Sequence, residues 1–400
     1  MIQSPANDFL LRQNCPFMKT LVNIITEDNP IPAYLFIKEK YEPGDRIMYI
    51  SAKDTEDDLD WLAVIDGVSI DYIDEIVLKN DIDEFKYENI CRAVRSYLKE
   101  GVHYCVNLAG GTRYMALAVQ QVFEDFDSEF FYVNLEDNTI VKSKFDDSIY
   151  NNDDYFYPVK YKMSVSEYLS AHELKHDIPK SLHEPLFPVE LSNTMFRLFA
   201  GNLFTNRDFH IMEILRSDYR GCRGGVSVSE LELPASTEKM PIPDIREFLG
   251  KIGMPVKNDK LSRTQIGWIT GGWFEEYIYY KVKKAASPDD IKLGVHISRK
   301  GVPRNNELDV LFMKNNRLFV IECKTGVETE RMFSEIVYKA CALREALLGV
   351  SCYSYIASLK KDGNDNLDKI AKSMDIVFWD YTEIVNRFPK VLADMLEIVQ

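Results

Sequence analysis

Apolar runs of strand length alternate with longer helical stretches along the first part of the chain, and each change of period marks an element. Residues 21–26 are an apolar run closed by the polar Thr26-Glu27-Asp28-Asn29-Pro30, and 33–41 follow with helical spacing. Residues 46–51 form a second strand, after which Asp54-Thr55-Glu56-Asp57-Asp58 supplies N-cap and first-turn acids for another helix. A third strand at 75–78, a helix at 84–99, a fourth strand at 103–108 and a helix at 112–126 continue the series. Residues 130–135 and 139–141 read as an edge hairpin. Strands alternating with helices predict a parallel, doubly wound α/β sheet.

Beyond Asn151-Asn152-Asp153-Asp154 the pattern loosens into proline-punctuated pieces such as the short helix at 206–216 and the exposed loop at 221–225. Residues 151–260 therefore predict a hinge with small helices. A sharper pattern returns at 305–326, NNELDVLFMKNNRLFVIECKTG, where two alternating strands flank Asn315-Asn316. Asparagine tolerates the positive φ of a two-residue hairpin turn. With that turn Lys314 faces Arg317, Asp309 faces Glu322 and Glu307 faces Lys324, all on one face of the hairpin. Opposed carboxylates would sit with Cβ atoms roughly 5 Å apart and repel. A divalent cation held by hard oxygens, with the Lys324 ammonium beside it, would make the arrangement favourable. A solvated strand pair with a surface Glu307–Lys324 ion pair is the plainer account of the same residues.

At 400 residues the chain has room for two or three cores. Hydrophobic residues at 46% and charged residues at 28% are ordinary for a folded soluble protein. No apolar run approaches bilayer-spanning length and the start lacks a secretory layout, so the expectation is a cytoplasmic protein with no membrane partner. The 7 cysteines are odd in number and include no C-x-x-C pair, which argues against a disulfide framework or a cysteine zinc site. A formal net charge of -15 excludes a general nucleic-acid coat protein but not a local basic groove. Lys281, Lys283, Lys284, Lys292, Arg299, Lys300 and Arg304 gather between the Glu275 region and the hairpin, where a polyanion would lie.

In an open α/β sheet, ligands bind beyond the carboxyl ends of the strands. After the fourth strand, Asn107-Leu108-Ala109-Gly110-Gly111-Thr112-Arg113 places two glycines at a helix N-terminus, where backbone N–H groups can approach an anion. A tight strand-to-helix turn would use the same glycines. No G-x-G-x-x-G follows the first strand, which disfavours a dinucleotide cofactor. His172-Glu173-Leu174-Lys175-His176 matches the H-E-x-x-H pattern, but Pro179 follows closely and no third histidine ligand is correctly spaced. It reads as a chance match.

The sequence Asp309, then Glu322-Cys323-Lys324, resembles the core of the PD-(D/E)xK nucleases over roughly residues 262–385. In that family the first helix supplies a further carboxylate. Thr270-Gly271-Gly272-Trp273-Phe274-Glu275-Glu276-Tyr277 matches it, with Glu275 preferred and Glu276 the fallback; Leu308 stands where the family commonly has proline. The Asn107–Arg113 run resembles the signature of CARF domains, the Rossmann-like sensors of cyclic oligoadenylates in type III CRISPR defence, over roughly residues 18–150. The two resemblances in this order imply a cyclic-oligoadenylate-activated DNA or RNA nuclease. They imply a flexible extension at 1–17, a sensor at 18–150, a hinge at 151–260 and a nuclease at 261–400. The implied ligand residues are Thr26, Glu27, Asn29, Ser51, Lys53, Asn107, Ala109, Gly110, Gly111, Thr112 and Arg113. The implied metal ligands for Mg²⁺ or Mn²⁺ are Asp309, Glu322 and Glu275, with Lys324 also catalytic. A homodimer and a four-adenylate ring as allosteric activator are further implications. The alternative is a ligand-controlled nucleic-acid-binding regulator that does not cut.

Overall fold

Strand β1 (Lys19–Ile25) is buried along almost its whole length, as a parallel strand covered on both faces must be. It lies at the centre of a seven-stranded sheet with β2 (Arg46–Ser51), β3 (Ile73–Val77), β4 (His103–Asn107), β5 (Ser128–Asn134), β6 (Thr139–Ser143) and β7 (Phe156–Pro158). The order is β3-β2-β1-β4-β5-β6-β7, parallel through β5 and antiparallel beyond it. Helix α1 (Ile31–Lys40) packs with Leu21 and Phe131 on one face, while α2 (Tyr87–Arg95) and α3 (Arg113–Phe123) pack with Val22 and Val106 on the other. The expected hairpin of β5 and β6 forms, but it is not the edge, because β7 from the segment expected to be a hinge adds a further strand.

The computed structural model describes residues 19–25, 30–51, 68, 72–78, 86–143, 155–178, 183–232, 240–299, 306–326, 330–344, 352–360 and 365–397. The 1–17 extension, the helix expected after Asp54, the Asn151-Asn152-Asp153-Asp154 boundary, Thr26, Glu27, Asn29 and Lys53 lie outside them.

Residues between the two expected domains contribute to both. Helix α4 (Val165–Ala171) leads into β8 (Leu174–His176), which pairs with β11 (Asp290–Arg299) of the second sheet. The His172-to-His176 motif therefore does not sit on a helix, since Glu173 turns the chain at φ 57 between α4 and β8. Helices α5 (Val189–Ala200), α6 (Asn206–Ile214) and α7 (Ile245–Ile252) accompany a small antiparallel pair, β9 (Val226–Ser227) with β10 (Lys260–Leu261). They share one apolar core with α8 (Trp273–Ala286) and with Val310, Phe312 and Ile321.

The second sheet has the order β15-β14-β13-β12-β11-β8, with β12 (Asn306–Lys314), β13 (Arg317–Lys324), β14 (Cys352–Ser358) and β15 (Val377–Trp379). The hairpin register is the expected one, with Lys314 opposite Arg317 and Val310 opposite Ile321. Asn315 and Asn316 both adopt left-handed φ, at 49° and 59°, which is the geometry of a type I′ turn. What the sequence does not announce is where this turn goes. The buried Asn316 amide donates to Asn138 Oδ1 and to the Tyr161 carbonyl, each at 2.9 Å, and its Oδ1 accepts from the Met163 N–H at 2.9 Å. The buried Arg317 guanidinium donates to the Leu135 carbonyl at 3.0 Å and to the Glu136 carbonyl. Leu135, Glu136 and Asn138 belong to the β5–β6 turn, so the hairpin is plugged into the first sheet.

Replacing Asn316 by glycine keeps the positive φ and removes only the side chain. Leaving the Met163 N–H and the Tyr161 carbonyl without this partner should cost about 1–3 kcal/mol, seen as a lower urea midpoint. An unchanged midpoint would show that the plug contributes nothing.

Candidate active site and sensor crevice

Asp309 and Glu322 end up on one face of the hairpin because strand side chains alternate and the type I′ turn fixes the pairing. Lys324 follows Glu322 by two residues and returns to the same face. Its ammonium lies 2.6 Å from Glu322 Oε1 and 3.6 Å from Asp309 Oδ2, bridging the two acids. Asp309 is buried, and its Oδ2 accepts the Cys323 N–H at 2.7 Å. Burial first, then repulsion from Glu322, push its carboxyl up to about 7, against the pull of Lys324 and the Cys323 N–H. Burial alone would lower Lys324, but Asp309 and Glu322 outweigh it and raise the ammonium above its ordinary value.

Helix α8 supplies the remaining acid. Burial, followed by repulsion from Asp309 and Glu307, pushes Glu275 up to about 8. Glu276 has a different occupation. It is buried, accepts the Leu186 N–H at 2.6 Å and the Trp268 Nε1–H at 2.8 Å, and so ties the segment before α5 to the start of α8. Of the two neighbouring glutamates, Glu275 is the one whose field the hairpin acids share.

Asp309 and Glu322 thus flank the Lys324 ammonium, and Glu275 lies in the field of all three and of Glu307. As a set of hard oxygen donors held in mutual repulsion, they fit a divalent cation. In the present geometry the ammonium stands between the carboxylates. Among the described residues, the trio whose potential ligand atoms all lie within 4.8 Å of one another is His103, Cys105 and Glu129, at the other end of the first sheet. There His103 pairs with Asp127 at 3.1 Å and Glu129 with Lys142.

Gly294 was not singled out by its sequence, though a lone glycine inside a strand pattern is a known mark of close approach. The pairs Leu293–Val310 and Val295–Leu308 put it opposite Asp309, and its φ of 58° is left-handed. A side chain there would carry roughly 1–2 kcal/mol of backbone strain. Beside it, His296 Nδ1 lies 3.1 Å from Asp177 Oδ2 and Nε2 lies 3.9 Å from Glu307 Oε2. Three of the basic residues expected to line a groove have local partners. Lys281 lies over the Tyr277 ring at 5.0 Å, Lys283 over Tyr279 at 5.5 Å, and Lys292 pairs with Asp290 at 3.1 Å. Lys300, Arg304 and the Arg299 side chain fall outside the described residues.

In the first sheet the strand order reverses between β1 and β4, which opens a crevice beyond their carboxyl ends. Gly110 and Gly111 close on the end of β1. A Cβ on Gly110 would lie 2.1 Å from the Ile24 carbonyl oxygen, and one on Gly111, whose φ is 65°, would lie 2.4 Å from Ile24 Cγ2. Thr112 caps α3 by accepting the Met115 N–H at 3.2 Å, which leaves Arg113 exposed in the first turn. Asn107 is fully buried. Its amide donates to Asn23 Oδ1 at 3.0 Å and to the Pro32 carbonyl at 3.3 Å, while its Oδ1 accepts the Ala109 N–H at 3.0 Å. It holds the loop and the start of α1 on the sheet. Ser51 and Ala109 are also buried at the strand ends.

A doubly wound sheet with a glycine loop at its switch point, bolted to a mixed sheet bearing Asp309, Glu322 and Lys324, defines a ligand sensor joined to a PD-(D/E)xK-type nuclease core. Residues 20–168 match the Card1 CARF domain, and residues 262–387 the Card1-like endonuclease domain. No curated protein matches the chain by sequence. Among solved structures, protein VC1899 from Vibrio cholerae shares 17% identity at a TM-score of 0.72, over 96% of this chain and 99% of its own. Can2 from Sulfobacillus thermosulfidooxidans, solved in complex with cyclic tetra-adenylate, shares 18% at 0.66, over 96% and 98%. A type III CRISPR defence DNA nuclease activated by cyclic oligoadenylate shares 13% at 0.52, over 95% of this chain and 52% of that one. At these identities the likeness is one of fold. No described helix is long and apolar enough to cross a membrane.

An acid whose folded-state pKa lies above its ordinary value keeps a proton in the folded protein that the unfolded chain releases. Stability is then lost as pH rises from about 4.5 to about 8. In chelator-treated buffer, Glu275→Gln should therefore raise the unfolding free energy little at pH 5 and fully above pH 8, by urea titration. Equal gains at both pH values would refute the assignment of Glu275 to this repelled cluster.

Proposed function

We propose that this chain is a metal-dependent endonuclease of type III CRISPR antiviral defence, switched on by a cyclic oligoadenylate and cutting DNA, RNA or both. The observation that carries this reading is the pair of Card1 domain matches, sensor and endonuclease, on one chain. Asp309 and Glu322 would hold Mg²⁺ or Mn²⁺, with Glu275 as an additional or water-mediated ligand. When bound, such an ion lowers the pKa of a water and offsets charge on the scissile phosphate. The Lys324 ammonium, held between the two acids, donates to the phosphate and orients the attacking water. A water oxygen forms the new bond to phosphorus, the bond to the leaving ester oxygen breaks, and that oxygen ends protonated. Gly294, opposite Asp309, puts no side chain of its own beside the acid.

The activator occupies the crevice between the ends of β1 and β4. Backbone N–H groups of Gly111 and Thr112, the exposed Arg113, and Thr26, Glu27, Asn29 and Lys53, which follow the first two strands in the sequence, are the groups offered to it, with Gly110 turning the loop through its N–H bond to the Leu108 carbonyl. A cyclic, symmetric ligand matches an isologous two-fold interface, so the active form is a homodimer with the ring across the axis. Cyclic tetra-adenylate is the favoured ring; Can2, of related fold, was solved with it. The ligand shifts the population of nuclease arrangements only by binding the active one more tightly.

Plasmid, single-stranded DNA and RNA incubated with Mn²⁺, with and without cyclic tetra- or hexa-adenylate, test the reading directly. Ring-dependent products are expected, and retention of nucleic acid without cleavage would favour a pure binding regulator. Glu322→Ala and Lys324→Ala should each lower the cleavage rate by at least about a thousandfold while ring affinity stays intact, since each removes a group acting on the developing charge. Wild-type rates in either variant would remove these residues from the chemistry. Gly111→Glu, which drives a side chain into Ile24, should leave the nuclease silent at every ring concentration.

A further inference from the structure

We infer that the cavity just past Lys324 receives one nucleobase of the substrate strand beside the scissile bond, an inference that rests on the nuclease reading above. The cavity, of about 650 Å³, falls within the roughly 300–1,000 Å³ typical of small-ligand sites. Thr325 and Gly326, the residues directly following Lys324, form part of its wall, as do Leu359 and Lys360 at the end of β14. The Leu359 N–H donates to the Lys324 carbonyl at 3.0 Å, so the wall is continuous with the catalytic strand. A base seated there would belong to a nucleotide adjoining the phosphate held at Lys324.

The lining suits a base and its phosphates. Phe199, Phe204, Phe209 and Trp273 all face the cavity, and Phe209 remains 42% exposed. Phe209 meets Phe199 and Phe204 edge to face, with ring centroids 6.3 Å and 5.8 Å away, so the aromatic wall has offset surfaces rather than one closed stack. Base–aromatic stacking works for every base because each has a π-face. Arg216 and Lys360 bring two cations to the same cavity, against the single carboxylate of Glu213. The Arg216 guanidinium is oriented by donating to the Thr270 carbonyl, one turn before Phe274.

The cavity on the other side of α8 makes the contrast. Its volume is similar, about 550 Å³, but five carboxylates, Asp177, Glu184, Glu275, Glu276 and Glu307, line it beside Arg220, His183 and His296. Its carboxylates belong with the cation and the scissile phosphate and offer no aromatic face beside them but Trp268, whereas the other cavity presents several rings on which a base can stack. The substrate strand is thereby directed to the β13–β14 side of the catalytic cluster.

The test uses full-length protein with cyclic tetra-adenylate, Mn²⁺ and an end-labelled oligonucleotide with a mapped main cut, in which each nucleotide near the cut is replaced in turn by an abasic residue. One position should raise KM about tenfold with little change in kcat, and Phe209→Ala should raise KM similarly on the intact strand while abolishing the abasic penalty. Phe209→Leu, which retains apolar bulk, guards against a folding defect, and its melting temperature should match the parent. A flat abasic series, or a penalty that survives undiminished in Phe209→Ala, overturns the base site while leaving the nuclease standing. Absence of any cleavage would sink the nuclease reading instead. Equilibrium affinities of the same abasic series then decide the base site, a flat series overturning it and a single weak position in the parent but not in Phe209→Ala upholding it.

Discussion

The constraint on which the structure turns is the burial of a hairpin tip. Asn316 and Arg317 sit where a hairpin ordinarily meets water, yet both are buried in contacts with the first sheet. Burying an amide and a guanidinium is costly unless each donor finds an acceptor. Here the acceptors are backbone carbonyls of the β5–β6 turn and of Tyr161, so the tip is stable only while the first sheet is in place. Asp309 lies six residues back along β12, roughly 20 Å at strand rise. A stiff β-pair therefore connects the acids around Lys324 to the β5–β6 turn of the first sheet.

The far end of that pair is under opposite stress. Burial displaces both Asp309 and Glu275 to high pKa, repulsion from Glu322 adding to it at Asp309 and repulsion from Asp309 at Glu275, and Lys324 compensates only in part. The cluster persists because the surrounding fold over-determines it. Phe312 and Phe319 stack at 4.7 Å across the hairpin, and α8 buries Trp273, Phe274 and Ile278 against the same core. Repulsion of this kind is the usual accompaniment of a site prepared for a charge that the polypeptide does not itself provide.

How much of this was legible in advance depended on range. The hairpin, its register and the common face of Asp309, Glu322 and Lys324 follow from a period of two and a turn of two asparagines, all within twenty residues. The alternation of β1 to β5 with their helices was equally local, and the Card1 domain matches bear out both halves of the fold. The rest was long-range. Nothing near Asn316 reveals a partner 178 residues earlier, and the preference for Glu275 over Glu276 carried no sign that Glu276 accepts the Leu186 N–H and the Trp268 Nε1–H. The edge hairpin failed as an edge because β7 comes from a proline-rich stretch whose pairing no periodicity announced. The basic cluster showed charge in the sequence but not the tyrosine rings over which Lys281 and Lys283 lie.

The same long-range bonds determine what kind of motion can link crevice to cluster. Helix α1 starts directly after the segment at the end of β1, and its Tyr34 hydroxyl donates to Glu167 Oε1 at 2.8 Å. Glu167 also accepts from the Tyr161 hydroxyl and, through Oε2, from the Ser164 N–H at 2.9 Å. The Tyr161 carbonyl and the Met163 N–H are the groups that hold Asn316. A displacement of α1 against the hairpin must therefore break one of these bonds or carry residues 161–167 along with it. Broken bonds would leave partly buried polar groups unpaired, so movement as a unit is the cheaper course. Contiguity alone does not make a switch, since the activator must still distinguish two arrangements by its affinity. A displacement that keeps these bonds also keeps the hairpin tip seated, and with it the register that gives Asp309 and Glu322 their shared face.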